Sequence, residues 1–496
     1  MIRQQQQDGD RLRQLARGLA LVAIVAVILF SAVALARDNP PEAGPPKAFH
    51  PPTPSVAKLP NGLSVVVVER PGLPLLTLHL VVKSGAESDP PQLPGTAQLT
   101  AEVLTQGTSR RSARDISDAV DGMAAQLSSS GSWDLSNVEL TVLSDRTDQA
   151  LELLSDIVRN PAFPPEEIER KRQQTISALD LLRDDPAYMA DALFNVLVFR
   201  GTPYGHPLDG TTQSIRRLAR NDLRGFHARY YRPDNCILAL VGDIRQDSAL
   251  AQAQKFFGDW KGAAPADAGP PAVSGSTFKH RIVVVDKPDA VQTEIRAGNP
   301  ALRRDSPEYY ALTVANQVLG GPAVNRLFRQ LRSRRGLAYG ASSELSLQQT
   351  AGSWMGKTST RSTETMHSLH ALLEEIERLR SDRVSSQELQ MAKSYLVGHM
   401  ALEFETSGDI AAQTLELMVH RLPLSTWSAY PEKVNLIDSS DVSVVAEKYL
   451  SGDNRIIVLV GDASRFSKEL RKLGPFELIP LKDLDLSSPD LRKAGH

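Results

Sequence analysis

Two kinds of apolar pattern recur along the chain. Short Val-rich runs, such as SVVVVE at 64–69 and RIVVVD at 281–286, are typical of strands. Longer stretches with apolar residues at helical spacing follow them, around 148–158 and around 365–379. Because strands and helices are grouped rather than strictly alternating, the pattern predicts an α+β fold. We expect each half to contain a mostly antiparallel sheet with helices packed on one face.

One sequence pattern occurs twice, at 230–244 and at 448–463. In both copies an Asp-Asn pair precedes an apolar strand that ends in Val-Gly-Asp. The matching residues lie at one constant offset: Asp234, Asn235, Gly242 and Asp243 in the first copy, and Asp453, Asn454, Gly461 and Asp462 in the second. A match over so long a distance predicts a duplicated domain rather than a short solenoid repeat.

The N-terminus has the features of a targeting segment. Arginines at 11, 13 and 17 precede an apolar run that ends in Ala-Leu-Ala at residue 36. This pattern predicts that residues 1–36 are either a signal peptide or a membrane anchor, with residues 18–36 crossing the bilayer in the second case. In both cases we expect an exported protein, periplasmic and soluble after cleavage or anchored in the inner membrane.

Composition also indicates where the domains begin and end. Residues 37–54 are rich in proline and predict an extended tether, and residues 261–276 are rich in Pro, Gly and Ala and predict an interdomain linker. The N-terminal domain is therefore expected at 55–260 and the C-terminal domain at 277–470. The remaining residues, 471–496, form a polar tail.

Charge and motif content exclude several classes of function. The 496 residues include 56 Lys and Arg and 58 Asp and Glu, and the two signs are interspersed. This balance gives no basic surface for nucleic acid. The chain has no G-x-S-x-G sequence, no P-loop and no Gly-rich dinucleotide fingerprint. The single cysteine, Cys236, lies in a predicted buried strand, which argues against a cysteine hydrolase.

Five segments of the chain together resemble a known family. They are LPNGLSVVVVE (59–69), GTAQLTAEVLTQGT (95–108), YGHP (204–207), HARYYRPDN (227–235) and LFRQLRSRRGLAYG (327–340). In their order and spread they resemble the insulinase/pitrilysin family of zinc metallopeptidases, and most closely its processing-peptidase-like branch of two-domain chains. The resemblance implies two homologous α+β domains related by pseudo-twofold symmetry. It also implies that two such chains pair as a clamshell around a peptide-binding chamber.

The resemblance also implies that the metal site of this chain is degenerate. In the family, the segment at 95–108 carries an inverted H-x-x-E-H, whose two His bind zinc and whose Glu activates water. Here Gln98 and Glu102 occupy the His positions, and Ala101 occupies the position of the general base. On a later helix Ala178 stands at the third ligand position, and Lys171 at a neighbouring acidic position. We therefore expect that this chain binds no zinc.

A second pair of family residues is retained. Arg332 and Tyr339 have the spacing of an Arg and a Tyr that hold substrate near the zinc in the family. A guanidinium can donate to peptide carbonyls, and a phenol can donate to the developing oxyanion. The alternative is a solvated, basic helix end, in which Arg332 is one of five arginines between 326 and 335.

Loss of the metal ligands together with retention of Arg332 and Tyr339 suggests a division of labour. The leading hypothesis is a non-catalytic subunit of an exported heterodimeric zinc peptidase, whose partner is a homologous chain with an H-x-x-E-H and the zinc. The substrate would be a peptide or an unfolded protein, held by strand addition, with 128–142 as the candidate hairpin. The first alternative is an inactive scaffold or peptide-binding protein. The second is an autonomous peptidase with an unrecognised metal site.

Overall fold

Two six-stranded sheets, one in each half, organise the described part of the chain. The computed structural model describes residues 49–262, 280–322 and 325–493. The strands of the first sheet are β1 (Ser55–Lys58), β2 (Ser64–Glu69), β3 (Leu75–Val82), β4 (Gln126–Gly131), β5 (Ser136–Leu143) and β6 (Cys236–Gly242). Those of the second are β7 (Arg281–Asp286), β8 (Gln292–Ala301), β9 (Ala338–Leu347), β10 (Gly352–Arg361), β11 (Ile456–Gly461) and β12 (Glu477–Pro480).

The two sheets share the order of five strands and differ at one edge, where β1 pairs antiparallel with β2 but β12 pairs parallel with β7. The first runs β1-β2-β6-β3-β5-β4 and the second runs β12-β7-β11-β8-β10-β9. The strand of the repeated Val-Gly-Asp pattern is central in both sheets. In the first sheet β6 is parallel to β2 and antiparallel to β3, and in the second β11 is parallel to β7 and antiparallel to β8. The fold class and the duplication predicted from the sequence are therefore confirmed.

Helices cover both sheets. Those of the first half are α1 (Thr96–Leu104), α2 (Ala113–Gly122), α3 (Thr147–Arg159), α4 (Pro165–Arg183), α5 (Pro186–Val198), α6 (Thr212–Arg217), α7 (Arg220–Tyr230) and α8 (Gln246–Phe257). Those of the second half are α9 (Tyr309–Leu319), α10 (Thr365–Ser381), α11 (Ser386–His399), α12 (Ser407–Val419), α13 (Thr426–Leu436), α14 (Ser439–Tyr449) and α15 (Ser467–Leu470). A π-helical turn at Phe328–Arg334 precedes β9.

Each half also contributes one helix to the sheet of the other half. Helix α5 packs on β8 and β11, and helix α12 packs on β3 and β6. On β8, a Cβ at Gly298 would lie 2.7 Å from the ring of Phe194 in α5, so the absence of a side chain permits this close packing. Each sheet therefore has helices of its own half on one face, as the sequence predicts, and a helix of the other half on the second face. This is why every residue of β6 and β11 is buried.

The C-terminal segment is integrated into the fold rather than lying loosely on it. Strand β12 pairs with β7 at the edge of the second sheet. Beyond it, Leu484 and Leu491 are buried in a cluster that includes Met189 of α5. Residues 471–493, the described part of the segment predicted as a tail, therefore connect the second sheet to a helix from the first half.

The predictions for the N-terminus and the linker fall mostly outside the described residues. The predicted targeting segment at 1–36 lies completely outside the described residues, and so does most of the tether and most of the linker. The predicted domain boundaries therefore stay predictions. Phe49 begins the described part, and its ring packs 5.6 Å from that of Phe404. Between residues 49 and 493, no described helix is long and apolar enough to cross a membrane.

Candidate functional site

Helix α1 is fixed at its start by a buried carboxylate. Asp89 accepts hydrogen bonds from the N–H groups of Gly95 (2.7 Å) and Ala97 (2.8 Å). Gly95 has φ +92°, a left-handed conformation that favours glycine at the point where the chain turns into the helix. Burial raises the pKa of Asp89 to about 7, although the backbone donors oppose this shift. The sequence analysis did not identify Asp89, because its partners follow six and eight residues later and it lies outside the usual capping position.

The two positions that correspond to zinc-binding His are hydrogen-bonded to each other. The Gln98 amide nitrogen donates to the Glu102 carboxylate at 2.9 Å, and the Gln98 amide oxygen accepts the N–H of Gly131 at 2.6 Å. Both ends of the amide are therefore engaged. The bond to Gly131 also joins α1 to β4, the strand at the edge of the first sheet.

The space beside α1 is narrow. A Cβ at Gly131 would lie 3.0 Å from the Gln98 backbone, so glycine permits the close approach of β4. One turn further along, the Ser129 hydroxyl donates to the Ala101 carbonyl at 2.7 Å, and Ala101 is fully buried. The position of the general base therefore faces protein rather than an open cleft.

Electrostatics at Glu102 also disfavour a metal. Burial raises the pKa of its carboxyl, whereas the positive charge of Lys171 on α4 lowers it. Lys171 is therefore close enough to Glu102 to oppose a divalent cation there. Ala178 lies seven residues, or about two turns, after Lys171 on the same helix, and it is exposed.

The residues present do not fit the zinc site of an active family member. Gln98 uses its oxygen for Gly131, Glu102 supplies one carboxylate, and Ala178 supplies no ligand atom. Within 49–262, 280–322 and 325–493, no group of three or more His, Cys, Asp or Glu residues is arranged to hold a metal ion. Structural and catalytic zinc sites both require at least three such protein ligands.

Arg332 and Tyr339 form a preassembled, exposed pair in the second half. The Arg332 guanidinium lies 4.9 Å from the ring centre of Phe328 and 4.7 Å from that of Tyr339, so it contacts two aromatic rings. The Tyr339 side chain is 86% exposed. In the described part of the chain, no carboxylate forms an ion pair with Arg332, and no hydrogen bond joins the pair to Gln98 or Glu102.

The neighbouring arginines behave differently from Arg332. Arg326 is buried and forms an ion pair with Glu388 at 2.9 Å. Arg335 pairs with Glu374 at 2.7 Å. Arg329 also pairs with Glu388, at 3.3 Å. Arg334 is exposed and has no ion pair in the described part of the chain, so the alternative of a solvated helix end fits Arg334, whereas Arg332 stacks on aromatic rings.

A groove of about 1100 Å³ lies between α9 and the edge strand β9. Its lining includes the rings of Tyr309 and Phe328 and the side chain of Leu345. The N–H of Ser343 donates to the Gly320 carbonyl at 2.7 Å and so points away from β10. By strand alternation, the backbone of Leu345 faces the same side. No pattern in the sequence indicates this groove, because α9 and β9, which form it, are about 25 residues apart along the chain.

Helix α1 and edge strand β4 of the first half occupy the positions that α9 and β9 occupy in the second half. In the second half the Ser343 hydroxyl donates to the Asn316 side chain of α9 at 2.7 Å. In the first half the bonds from Gly131 to Gln98 and from Ser129 to Ala101 hold helix and strand together. The candidate hairpin at 128–142 does contain this edge strand, but its end is already engaged by Gln98.

Comparison with known proteins gives consistent matches over most of the chain. A family model described as Insulinase (Peptidase family M16) matches residues 64–212, and one described as Peptidase M16 inactive domain matches residues 217–396. An uncharacterized zinc protease from Mycobacterium leprae is 26% identical over 349 residues, which are 70% of this chain and 78% of the relative. One from Bacillus subtilis is 24% identical over 347 residues, 70% of this chain and 83% of the relative.

Solved structures agree with these sequence matches. A crystal structure of a peptidase M16 inactive domain from Pseudomonas fluorescens has a TM-score of 0.76 and 26% identity, and the match covers 86% of this chain and 99% of that one. A protease from Helicobacter pylori, 20% identical, has the same fold with a TM-score of 0.76 over 82% of this chain and 99% of its own. The chain therefore belongs to the insulinase family of peptidases, family M16, and its altered metal helix is consistent with a non-catalytic peptidase homologue.

Proposed function

We propose that this chain is the non-catalytic subunit of an exported heterodimeric zinc peptidase. Its role is to present Arg332 and Tyr339 to a homologous partner that carries H-x-x-E-H and the zinc. The observation that carries the proposal is the exposed stack of these two side chains, in which Arg332 has no carboxylate partner among the described residues. A charged side chain that is ordered but unpaired is suited to bind a group from another molecule.

The chemistry of the pair suits a peptide substrate. The guanidinium can donate to the carbonyl oxygens of an extended peptide. The phenol can donate to the oxyanion that forms when water attacks the scissile carbonyl. The contact with the Phe328 ring limits the conformations of Arg332 before any substrate binds. The pair therefore needs only a metal-activated water from the partner.

The state of the first half supports the same division of labour. If the chain had no role in catalysis, nothing would require Arg332 and Tyr339 of the second half to stay exposed and in contact with each other. The former ligand positions, in contrast, are bonded to each other and to β4. The partner, its zinc, and export through residues 1–36 all belong to this proposal.

A reconstitution experiment tests the proposed function. The purified chain and a homologue with H-x-x-E-H, expressed from the same source, are assayed for cleavage of an unfolded protein, separately and after mixing. We expect no cleavage by this chain alone, and a chelator-sensitive activity of the mixture that exceeds the activity of the homologue alone. Equal activity with and without this chain would contradict the proposal.

A second candidate function is a peptide-binding scaffold without a role in catalysis. The open groove between α9 and β9 favours it, since an extended peptide can add to the free side of an edge strand. This candidate predicts that unfolded peptides bind the chain alone, and that Leu345→Arg weakens their binding whereas Tyr339→Phe does not. Binding that is insensitive to Leu345→Arg would exclude the groove as the scaffold's site.

A further inference from the structure

A separate cavity of about 280 Å³ lies beneath the C-terminal segment. Its walls come from the end of α4, the loop before α6 and residues 484–486. Leu179, Met189 and Leu484 give these walls a mainly apolar surface. The volume is at the small end of the range for small-molecule sites, about 300–1000 Å³. It suits a body of the size of one apolar amino acid side chain or a short acyl chain.

The cavity adjoins the former metal site. Tyr188 lines the cavity, and Asp209 is close enough to raise its pKa. The same Asp209 also acts on the carboxyl of Glu102 in α1. Gly210, which lines the cavity, also lies against the start of α1, since a Cβ at Gly95 would be 3.1 Å from its Cα. The cavity is therefore next to the N-terminal end of the altered helix.

Two positive charges meet at the rim of the cavity. Arg183 donates to the Lys482 carbonyl at 3.2 Å, and the Lys493 ammonium donates to the same oxygen. Over the described ranges, neither side chain has a carboxylate within ion-pair distance. Two like charges that share one neutral acceptor repel each other, and an anion bound between them relieves that repulsion.

The cavity is also lined by one carboxylate, that of Asp485, and by the hydroxyl of Tyr188. The carboxylate of Asp485 is already engaged by the N–H of Ser487 at 2.9 Å and by its hydroxyl at 2.6 Å. The Tyr188 hydroxyl has no hydrogen-bond partner in the described part. Burial, with the nearby charge of Asp209, raises the pKa of Tyr188 to about 12, so the hydroxyl stays a neutral donor.

We propose that this cavity binds a small carboxylic acid with an apolar body. Arg183 and Lys493 bind the carboxylate, Tyr188 donates a hydrogen bond to it, and Leu179 and Leu484 contact the body. Two sources offer this chemistry, namely a free short-chain acid and the C-terminal residue of a peptide. The site uses neither Arg332 nor Tyr339, so it goes beyond the proposed function and stands independently of it.

The experiment compares isocaproate with isocaproamide, which has the same shape but no charge. Each is titrated into the full-length chain by calorimetry. We expect the acid to bind at least about tenfold more tightly than the amide, because only the acid brings a negative charge to the hydrogen bonds with Arg183 and Lys493. Arg183→Gln and Lys493→Gln should each weaken binding of the acid about tenfold. Arg216→Gln, which removes an exposed positive charge from α6 outside the cavity, should leave binding unchanged.

Two further arms complete the test. The first arm compares a tripeptide that ends in leucine with its C-terminal amide. Tighter binding of the tripeptide acid than of isocaproate would identify the C-terminal residue of a peptide as the ligand. Thermal unfolding of every variant shows whether it is folded. Tyr188→Phe is a smaller change, and it should lower the affinity for isocaproate by a few-fold. Equal binding of acid and amide, or no binding of either to the folded wild-type chain, would overturn the proposal.

Discussion

The side-chain amide of Gln98 donates to the carboxylate of Glu102 at 2.9 Å, one helical turn away on α1. In an active member of the family these two positions hold His ligands that point at one zinc ion. Here the same spacing makes a helix-surface hydrogen bond, and Gln98 continues the contact to the N–H of Gly131. Gln98, at a former ligand position, thus helps to hold α1 against β4 at the edge of the first sheet.

Replacing Gln98 tests whether this contact stabilises the fold. Gln98→Ala leaves the N–H of Gly131 and the Glu102 carboxylate without this partner, and we expect a loss of about 1–3 kcal/mol in the free energy of unfolding. Urea denaturation measures it. As a control, Gln173→Ala, an exposed Gln on α4 that bonds only to the exposed Glu169, should change stability by less than about 0.5 kcal/mol. Equal effects of the two changes would show that the tie is energetically unimportant.

Restoring the general base should be costly. Ala101 is fully buried against β4, so Ala101→Glu places an unpaired carboxyl in a packed interior and should cost about 3 kcal/mol or more. Ala178→Glu makes the same chemical change at an exposed position and should be nearly neutral. Thermal unfolding of the two variants compares them directly. A fully stable Ala101→Glu variant would mean that the interface between α1 and β4 opens easily.

The exchange of helices between the halves depends on Gly298. A Cβ there would approach Phe194 of α5 at 2.7 Å and the Trp354 carbonyl at 2.1 Å, so Gly298→Ala should lower the free energy of unfolding by about 1–3 kcal/mol. Gly225→Ala in α7 is the matched control, because a Cβ there meets nothing within 4 Å. That change should stabilise the chain by about 0.5–1 kcal/mol. An unchanged stability of Gly298→Ala would show that α5 can shift without cost.

The ion pair of Glu388 with Arg326 makes a pH-dependent contribution. Burial opposes ionisation of Glu388, but hydrogen bonds and charge from Arg326, with added bonds from Ser385, outweigh it and lower the pKa to about 2 from an ordinary value of 4.5. With allowance for screening of this partly exposed pair by solvent, the contribution is about 1–2 kcal/mol. It is complete above pH 4.5 and is lost as the pH falls towards 2.

Glu388→Gln isolates this contribution, since other carboxyl groups cancel in the difference between variant and wild type. We expect the difference in the free energy of unfolding to be largest near pH 6 and to shrink below pH 4.5. A difference that stays constant from pH 6 to pH 3 would contradict the depressed pKa.

Local patterns in the sequence identified the repeated strands and the altered helix. The Asp-Asn and Val-Gly-Asp repeats predicted the strands β6 and β11, and the spacing around Gly95 and Gly107 predicted the helix α1. Contacts between distant segments were not accessible in the same way. The bond from Gly131 to Gln98 spans 33 residues, and the packing of Phe194 on Gly298 joins the two halves. Such contacts depend on how the sheets meet, which no local pattern encodes.

The continuous apolar sequences of β6 and β11 did contain a signal for the covered second faces. A strand with one solvated face alternates between apolar and polar residues, whereas CILALVG and IIVLVG do not. The contacts of Arg332 with Phe328 and Tyr339 had a weaker signal in the sequence, since these aromatic residues lie four positions before Arg332 and seven after it. Its lack of a carboxylate partner in the described part became visible only with the fold.

The effect of Tyr339→Phe on the mixed complex tests the central claim most directly. The hydroxyl is removed while the ring that stacks on Arg332 remains, so assembly should be unaffected. We expect kcat of the mixture to fall about a hundredfold, as is typical when an oxyanion donor is lost, with Arg332→Ala also impaired and Arg334→Ala unchanged. Full turnover with Tyr339→Phe and Arg332→Ala, in complexes that still assemble, would contradict the role proposed for this chain.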